Sequence, residues 1–451
     1  MPTHPFNRRS LLQAGALTLG GLTLPDVLAA REASGQSSKD TSVILCFLSG
    51  GPSQLETYDV KPDIPSSYRG VYEPINTNVP GIDICDKFPL QAKIADKFSL
   101  IRSLYHTFDS HSDSGIVVMT GRRPRKPDPT SRSKSEHPDF GCVASKVRGM
   151  SRQTIPPYVG IPSQLYMTQP SYLGRHHRAF SVGDPSAKNY SPPRWSAGDQ
   201  DAGMVNRRRS LLNQLDQFRS GKDLHGSVVG TNKFRELAYQ LLTSPKSAQA
   251  FDISKEKAKT RDRYGRHPWG QACLLARRLA EAGTSVITIY MDRLKSLGPL
   301  GDSNWDDHPG ADGRPGHYAK FMTFRMPYLD QCLSALIEDI HERALDKRIM
   351  VIAMGEFGRT PRISVVGTNY GRDHWPMAYS ALVSGGGLKM GQVVGATNSK
   401  AEYPTEKPYR PEDLLATVYR HLGIDPRTTF SDFAGRPIPI LDGAKPIREL
   451  M

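Results

Sequence analysis

Five short apolar runs, each next to a polar loop, constrain the fold of this chain more than any other feature. The runs cover residues 42–48 (SVILCFL), 98–104 (FSLIRSL), 285–290 (SVITIY), 348–354 (RIMVIAM) and 379–384 (YSALVS). Helix-forming stretches are expected at 90–96, 112–120, 207–219, 232–243, 269–283 and 317–345. Strands that alternate with helices predict an α/β fold with a doubly wound, mostly parallel central sheet and helices on both faces.

The first thirty residues have the pattern of an export signal. Arg8 and Arg9 precede an uncharged stretch from Ala14 to Pro25, and small residues before Arg31 offer a cleavage site. The paired arginines favour twin-arginine export, which carries folded proteins, over general secretory export or a retained anchor. We therefore expect a signal peptide at 1–30 and a periplasmic or secreted mature protein.

The remaining chain is expected to form one α/β domain. A polar leader at 31–41 precedes the domain at 42–445, which carries a loop-rich insertion at about 121–265 because Arg, Ser and Pro are frequent there. Outside the signal, no apolar run approaches the roughly 20 residues of a membrane span, so none is expected. The 5 cysteines form no C-x-x-C pair, which excludes a disulfide scaffold and a structural zinc finger.

The net charge indicates what the protein could bind. Lys and Arg number 59 against 45 Asp and Glu, which gives a net charge of +14. Such a balance suits an anionic small molecule or an acidic polysaccharide, although a basic solvated surface is the simpler explanation. No nucleic-acid recognition motif is present, and nucleic acid is not an expected partner. The oligomeric state is left open.

Loops next to the apolar runs are rich in histidine and carboxylate side chains. In parallel sheets, ligand sites lie beyond the carboxyl ends of the strands, so these loops are expected to meet. The side chains predicted to share one metal site are His111, Asp306, His308, Glu356, Asp373 and His374. Mixed imidazole and carboxylate ligands favour Zn²⁺ or Mn²⁺ over Ca²⁺ or Mg²⁺.

Several of these residues also have simpler explanations. Ser112 at a helix start is a candidate nucleophile, but a serine there, or Ser110, also commonly caps the helix. Arg359 suits a phosphate or sulfate group, but it could equally form an ion pair with Glu356. The loop at 50–59 either supplies oxygen ligands from Glu56 and Asp59 or is a plain turn.

Four motifs resemble those of a known family. They are residues 50–59 (GGPSQLETYD), 305–308 (WDDH), 355–360 (GEFGRT) and 371–375 (GRDHW). Together they resemble the domain-of-unknown-function family 1501 over nearly all of residues 42–445. That family consists of secreted bacterial proteins, abundant in planctomycetes and often with a twin-arginine signal. It is in turn similar to the alkaline phosphatase and sulfatase superfamily, which hydrolyses phosphate or sulfate esters with divalent metals.

The resemblance assigns roles to individual residues. Residues 119–124 (MTGRRP) look like the sulfatase stretch that closes with Thr-Gly-Arg, and His111 then occupies the nucleophile position. Since no cysteine is there, formylglycine chemistry is not supported. Asp306 with His308, Glu356 and His374 resemble metal ligands. Phe357 stands where the superfamily has a histidine, and the first loop lacks the usual aspartate, so both positions argue against a complete two-metal site.

The sequence therefore predicts an exported, metal-dependent hydrolase of an anionic phosphate or sulfate ester. Ser112, or a water activated by His111, would attack the ester, and Arg359 would neutralise the developing charge. The alternative is a non-catalytic periplasmic or envelope protein of the same fold that binds an acidic polysaccharide or a protein partner.

Overall fold

The computed structural model describes residues 40–149, 155–191, 245–310 and 317–451, and an eight-stranded sheet lies at its centre. In chain order the strands of this sheet are β1 (Ser42–Leu48), β2 (Phe98–Leu104), β3 (Tyr158–Ile161), β4 (Phe180–Ser181), β5 (Val286–Met291), β6 (Ile349–Met354), β7 (Tyr379–Gly385) and β8 (Gln392–Val394). All five apolar runs of the sequence form strands.

The spatial order of the strands is β8-β2-β7-β6-β1-β5-β3-β4. Every paired neighbour is parallel except β7, which runs antiparallel to both β2 and β6. The prediction of a mostly parallel sheet is therefore confirmed. Because β7 is reversed, its first residue lies beside the last residue of β2, with Tyr379 opposite Leu104. The loop that precedes β7 consequently reaches the edge where the other strands end.

Both faces of the sheet are covered, as the continuous apolar run of β1 requires. Successive side chains of a strand point to opposite faces. Ile44 and Cys46 belong to one buried cluster, whereas Val43 and Leu45 belong to another. Two separate cores on either side of one sheet confirm the doubly wound arrangement.

Eight α-helices surround the sheet in the described residues. They are α1 (Pro89–Ala92), α2 (His111–Thr120), α3 (Phe140–Arg148), α4 (Pro245–Phe251), α5 (Ala258–Tyr264), α6 (Pro268–Glu281), α7 (Ala319–Glu342) and α8 (Pro411–His421). The two long helices α6 and α7 pack in the core that contains Ile44, and α2, α3 and α8 pack in the core that contains Val43. The expected helix at 90–96 is a short α-helix followed by a 3₁₀ turn at Ala95–Lys97.

Small two-stranded sheets form within the loops around the central sheet. The paired segments are Pro74–Asn76 with Asp83–Cys85, Gly358–Arg359 with His374–Trp375, Ser364–Val366 with Asn369–Gly371, Ala396–Thr397 with Pro404–Glu406, and Thr429–Ser431 with Pro437–Pro439. The second of these pairs Arg359 directly with His374. It fastens the loop after β6 to the loop before β7, and both loops belong to the candidate site.

Part of the segment predicted as a loop-rich insertion, 121–265, forms regular structure that includes β3, β4 and α3. The predicted signal peptide, the leader up to residue 39 and the helices expected at 207–219 and 232–243 lie outside the described residues. Within the described ranges, no helix has the length and apolar character needed to cross a bilayer. All five cysteines are buried and unpaired.

Candidate metal centre

The carboxyl edge of the sheet brings the predicted residues together around Asp306. One carboxylate oxygen of Asp306, Oδ1, lies 3.1 Å from His308 Nε2 and 3.2 Å from His374 Nε2. Its other oxygen, Oδ2, lies 3.3 Å from His111 Nε2. We call these four residues the histidine cluster. Their side chains are 20–27% exposed, so the cluster is open to solvent.

The other ring nitrogen of each histidine is held by an oxygen that can only accept a hydrogen bond. His111 Nδ1 donates to Glu356 Oε1 at 2.6 Å, and His308 Nδ1 donates to Asp373 Oδ1 at 2.7 Å. His374 Nδ1 donates to the backbone carbonyl of Asp109. Since each Nδ1 carries the proton, each Nε2 directs its lone pair toward Asp306. This arrangement is typical of histidines that bind a metal ion.

The cluster therefore contains more lone pairs than its own protons can satisfy. The Nε2 atoms of His308 and His374 are only 2.8 Å apart, and both face the same carboxylate oxygen. Three lone pairs and a carboxylate that converge in this way need a cation or extra protons between them. Ligand atoms of His111, Asp306 and His374 all lie within 4.8 Å of one another, which is a separation that one ion can bridge. The donor set fits a divalent cation.

The ionisation of the cluster agrees with this geometry. Burial raises the pKa of Asp306, but the charge of Arg359 outweighs it and, together with the surrounding histidines, holds the pKa well below its usual range. Burial lowers the pKa of His374. It would also lower the pKa of His111, but hydrogen bonds to Asp306 and Glu356 raise that pKa to about 9. Without a cation, His111 thus keeps an extra proton at neutral pH.

Two glycines allow the loop after β1 to touch the cluster. Gly50 and Gly51 have φ values of +108° and +79°. A Cβ on Gly50 would lie 2.4 Å from the backbone nitrogen of Asp306, and one on Gly51 would lie 2.4 Å from the ring of Phe357. Larger residues cannot occupy these positions because the conformation and the space both exclude a side chain.

Phe357 forms an apolar wall of the cluster. Its ring is fully buried and its centroid lies 4.4 Å from that of His374 and 5.1 Å from that of His111. An aromatic ring offers no ligand atom for a metal ion. The side of the cluster that Phe357 occupies is therefore closed to a second cation.

Glu356 and Asp373, both predicted as metal ligands, hold the histidines. Glu356 is 1% exposed, and its Oε1 also accepts the amide of Gly50 at 2.9 Å. Its Oε2 has no hydrogen-bond partner among the described residues. Asp373 Oδ2 accepts the hydroxyl of Ser364 at 2.5 Å. Both carboxylates orient an imidazole, and they lie one layer outside the atoms that converge on Asp306.

Arg359 has different partners from those expected of a substrate-binding arginine. It is fully buried, and its guanidinium donates to the carbonyls of Gly50, Gly51 and Arg372. Its Nη2 also lies 2.6 Å from Asp306 Oδ1. The side chain joins three loops and fixes the carboxylate. It forms no ion pair with Glu356 in the described residues, so that alternative is wrong.

The helix that begins at His111 was predicted one residue shorter. Its cap is Ser110, whose hydroxyl accepts the amide of Asp113. Ser112 is fully buried, and its Oγ has no hydrogen-bond partner among the described residues. The structure thus separates the two serines, one as a cap and one as a buried hydroxyl beside the cluster histidine.

A family model described as "Protein of unknown function (DUF1501)" matches residues 40–451 of the sequence. The chain belongs to the DUF1501 family. The resemblance drawn from the four motifs is confirmed at this level. No curated protein matches the sequence.

Solved structures similar to this DUF1501 protein are distant. The PsFucS1 sulfatase from Pseudoalteromonas sp. has 12% identity and a TM-score of 0.37, covering 88% of this chain and 70% of its own. The lipoteichoic acid synthase LtaP from Listeria monocytogenes has 9% identity and a TM-score of 0.35, with coverage of 87% and 74%. The phosphonate monoester hydrolase SpPMH from Silicibacter pomeroyi has 12% identity and a TM-score of 0.34, with coverage of 86% and 74%.

The DUF1501 protein also has a second charged group at the same edge, which the sequence did not predict. Glu56 and Arg372 form an ion pair at 2.8 Å with both side chains 0% exposed, and we call it the buried pair. Tyr318 donates to the same Glu56 oxygen at 2.6 Å. Of the two alternatives for the loop at 50–59, a metal ligand from Glu56 is not favoured, because Ser53, Tyr318 and Arg372 already donate to its carboxylate. The sequence could have indicated Arg372 as a residue of the site, because it lies within the motif that supplies Asp373 and His374.

Proposed function

We propose that this protein is an exported hydrolase of phosphate or sulfate esters that depends on one divalent cation. The observation that carries the proposal is the histidine cluster. Three imidazoles have their Nδ1 atoms fixed by oxygens and their Nε2 atoms turned to one carboxylate, at the open edge of a mostly parallel sheet. The motif resemblance indicates the class of reaction, and the histidine cluster would hold the cation that this reaction requires.

The cation would be held by Asp306, His111, His308 and His374. Three imidazoles and one carboxylate suit Zn²⁺ or Mn²⁺, whereas Ca²⁺ and Mg²⁺ prefer oxygen ligands alone. When bound, a divalent cation polarises the ester and lowers the pKa of a water to about 7. The wall formed by Phe357 favours a single ion.

The chain's own residues would position the reaction. Glu356 keeps the proton of His111 on Nδ1, and Asp373 does the same for His308. Arg359 neutralises Asp306 and fixes the loop of Gly50 and Gly51, so it acts as a positioning residue. These partners keep each ligand atom oriented before an ester arrives, which lowers the reorganisation that reaction requires.

The attacking group is proposed to be a water rather than Ser112. The hydroxyl of Ser112 is fully buried, whereas the side chains of His111 and Asp306 are 20% and 25% exposed. An ester from solvent therefore reaches the cluster more readily than it reaches the serine. A non-catalytic polysaccharide-binding protein is the second candidate, and the buried hydroxyl together with the net charge of +14 favours it.

A substrate screen tests the proposal. Purified protein is incubated with an aryl phosphate, an aryl phosphodiester and an aryl sulfate, each with added Zn²⁺ or Mn²⁺. We expect metal-stimulated turnover of at least one ester, and we expect it to be lost in Glu356→Ala and in Asp306→Asn.

One control variant and one alternative outcome complete the test. Asp86→Asn removes a carboxylate that is 31% exposed and bonded to Lys87, far from the motifs in sequence, and should leave turnover unchanged. Saturable polysaccharide binding without turnover of any ester would contradict the hydrolase and support the non-catalytic polysaccharide-binding protein.

A further inference from the structure

A strongly basic segment is tied directly to the helix that supplies His111. We call residues 122–134 the basic loop. The hydroxyl of Ser131 accepts the amide of His111 at 3.1 Å, and the amide of Asp128 donates to Asp113 Oδ2 at 2.7 Å. Both bonds join the loop to the first turn of α2. The loop therefore lies at the rim of the histidine cluster.

The basic loop carries far more positive than negative charge. Its six cationic residues are Arg122, Arg123, Arg125, Lys126, Arg132 and Lys134, and Asp128 is its one acidic residue. Asp128 is engaged by the loop itself, because its carboxylate accepts bonds from Thr130, Arg132 and Ser133. Asp128 therefore forms no ion pair with the six cations of the loop.

Four of these cations are exposed and form no ion pair with a described residue. Arg122 forms an ion pair with Asp442, and Arg125 forms one with Glu136. By contrast, the exposed cations without an ion pair among the described residues are Arg123, Lys126, Arg132 and Lys134. Arg132 follows the tether residue Ser131, so its Cα lies about 3.8 Å from that of Ser131. Positive charges are thus held beside the site and are free to meet an anion.

The composition of the basic loop indicates which kind of anion it would bind. Residues 121–135 contain no aromatic side chain on which a base could stack, as single-stranded nucleic acids require. They also contain no Leu, Ile, Val, Met or Phe that could insert into a lipid surface. Separate cations on a proline-rich segment suit a flexible chain that carries repeated sulfate or phosphate groups.

We propose that the basic loop is a polyanion-binding subsite, which holds neighbouring sulfate or phosphate groups of a chain while one such group enters the histidine cluster. The proposal rests on the proposed function for the last step only, since binding by the loop needs no turnover. It narrows the substrate class from small esters to extended polyanions.

Binding measurements on the full-length protein test the proposal. Labelled dextran sulfate and polyphosphate are the two probes, and they separate a sulfated glycan from a phosphate chain. The triple variant Lys126→Ser, Arg132→Ser, Lys134→Ser should bind at least one probe about tenfold more weakly and with a smaller dependence on salt. The matched control is Lys255→Ser, Lys257→Ser, Lys259→Ser, which removes three exposed lysines elsewhere and should bind as the wild type does.

The link between loop and cluster needs its own measurement. Added Zn²⁺ should strengthen probe binding in the wild type and not in Asp306→Asn. Equal losses in the loop variant and the lysine control would overturn the subsite, as would tighter binding of single-stranded DNA or anionic vesicles. Zinc-independent binding would overturn its connection to the cluster. Turnover of small esters with unchanged probe binding would leave the proposed function standing, and loop-dependent binding without turnover would leave only the subsite.

Discussion

The histidine cluster and the buried pair are built from the same motifs, yet they differ in how their charges are satisfied. In the buried pair, Glu56 accepts from Arg372, Tyr318 and Ser53, and both charged side chains are 0% exposed. In the histidine cluster, the Nε2 atoms of three imidazoles converge on Asp306 while their Nδ1 atoms are already bonded to oxygens, and the side chains are 20–27% exposed. A closed network stabilises the loops, whereas an open and unsatisfied network is available for a ligand.

Neighbouring residues of one motif divide between the two groups. Asp306 and His308 belong to the cluster, whereas Asp307 between them is buried against Arg325. Arg372 likewise enters the buried pair while His374 enters the cluster. A single motif can therefore supply both the reactive site and the structure beneath it.

The largest expected effect concerns the buried pair of Glu56 and Arg372. Arg372→Met leaves the Glu56 carboxylate buried without its cation and should lower the free energy of unfolding by about 3–5 kcal/mol. Adding Glu56→Gln should recover part of the loss because the charge is removed. Denaturant unfolding measures both, and Arg427→Met, which breaks an exposed pair with Asp425, serves as the control that should show no measurable change. A loss no greater than in that control would contradict the assignment.

A second prediction tests the histidine cluster, which is the solvent-exposed group in this comparison. Asp306→Asn keeps the size of the side chain but removes the charge at the centre of the cluster, so the affinity for Zn²⁺ should fall by at least about 100-fold, or roughly 2.7 kcal/mol. Isothermal titration of the metal-free protein with zinc chloride measures the change. Asp86→Asn should titrate like the wild type. An unchanged affinity in Asp306→Asn would show that the cluster is not the metal site.

The smallest expected effect concerns the proton on His111. Its raised pKa of about 9, against 6.5 for an unperturbed histidine, contributes stability that is fully present below pH 6.5 and is lost as the pH rises through about 9. Glu356→Gln removes one of the two carboxylates and should lower this pKa by about one unit. Since protons and metal ions compete for Nε2, Zn²⁺ should bind more weakly as the pH falls below that value.

Nuclear magnetic resonance titration of the metal-free protein measures the shift. His421 provides an internal control in the same spectra, because burial lowers its pKa to about 4 and it lies far from the cluster in sequence, bonded to the Ser42 carbonyl. Equal pKa values for His111 in the wild type and the variant would contradict the role of Glu356.

Much of the fold follows from local patterns. The bounds of β1 and β2 match the runs at 42–48 and 98–104. In β1 every residue after Ser42 is apolar because the strand is buried on both faces. The rule that sites lie beyond strand ends also brought His111, Asp306, His308 and His374 into one hypothesis, and these four do converge. That they bind a metal ion stays a prediction.

The sequence by itself determined which segments are buried, where the polar loops lie and which side chains could carry chemistry, because these depend on periodicity and composition within each segment. Only the tertiary structure decided that β7 runs antiparallel, that Glu356 and Asp373 hold histidines, and that Arg359 and Arg372 are fully buried. Each of these depends on a partner that is distant along the chain. A local pattern specifies what a side chain can bind, but the packing of the loops specifies what it meets.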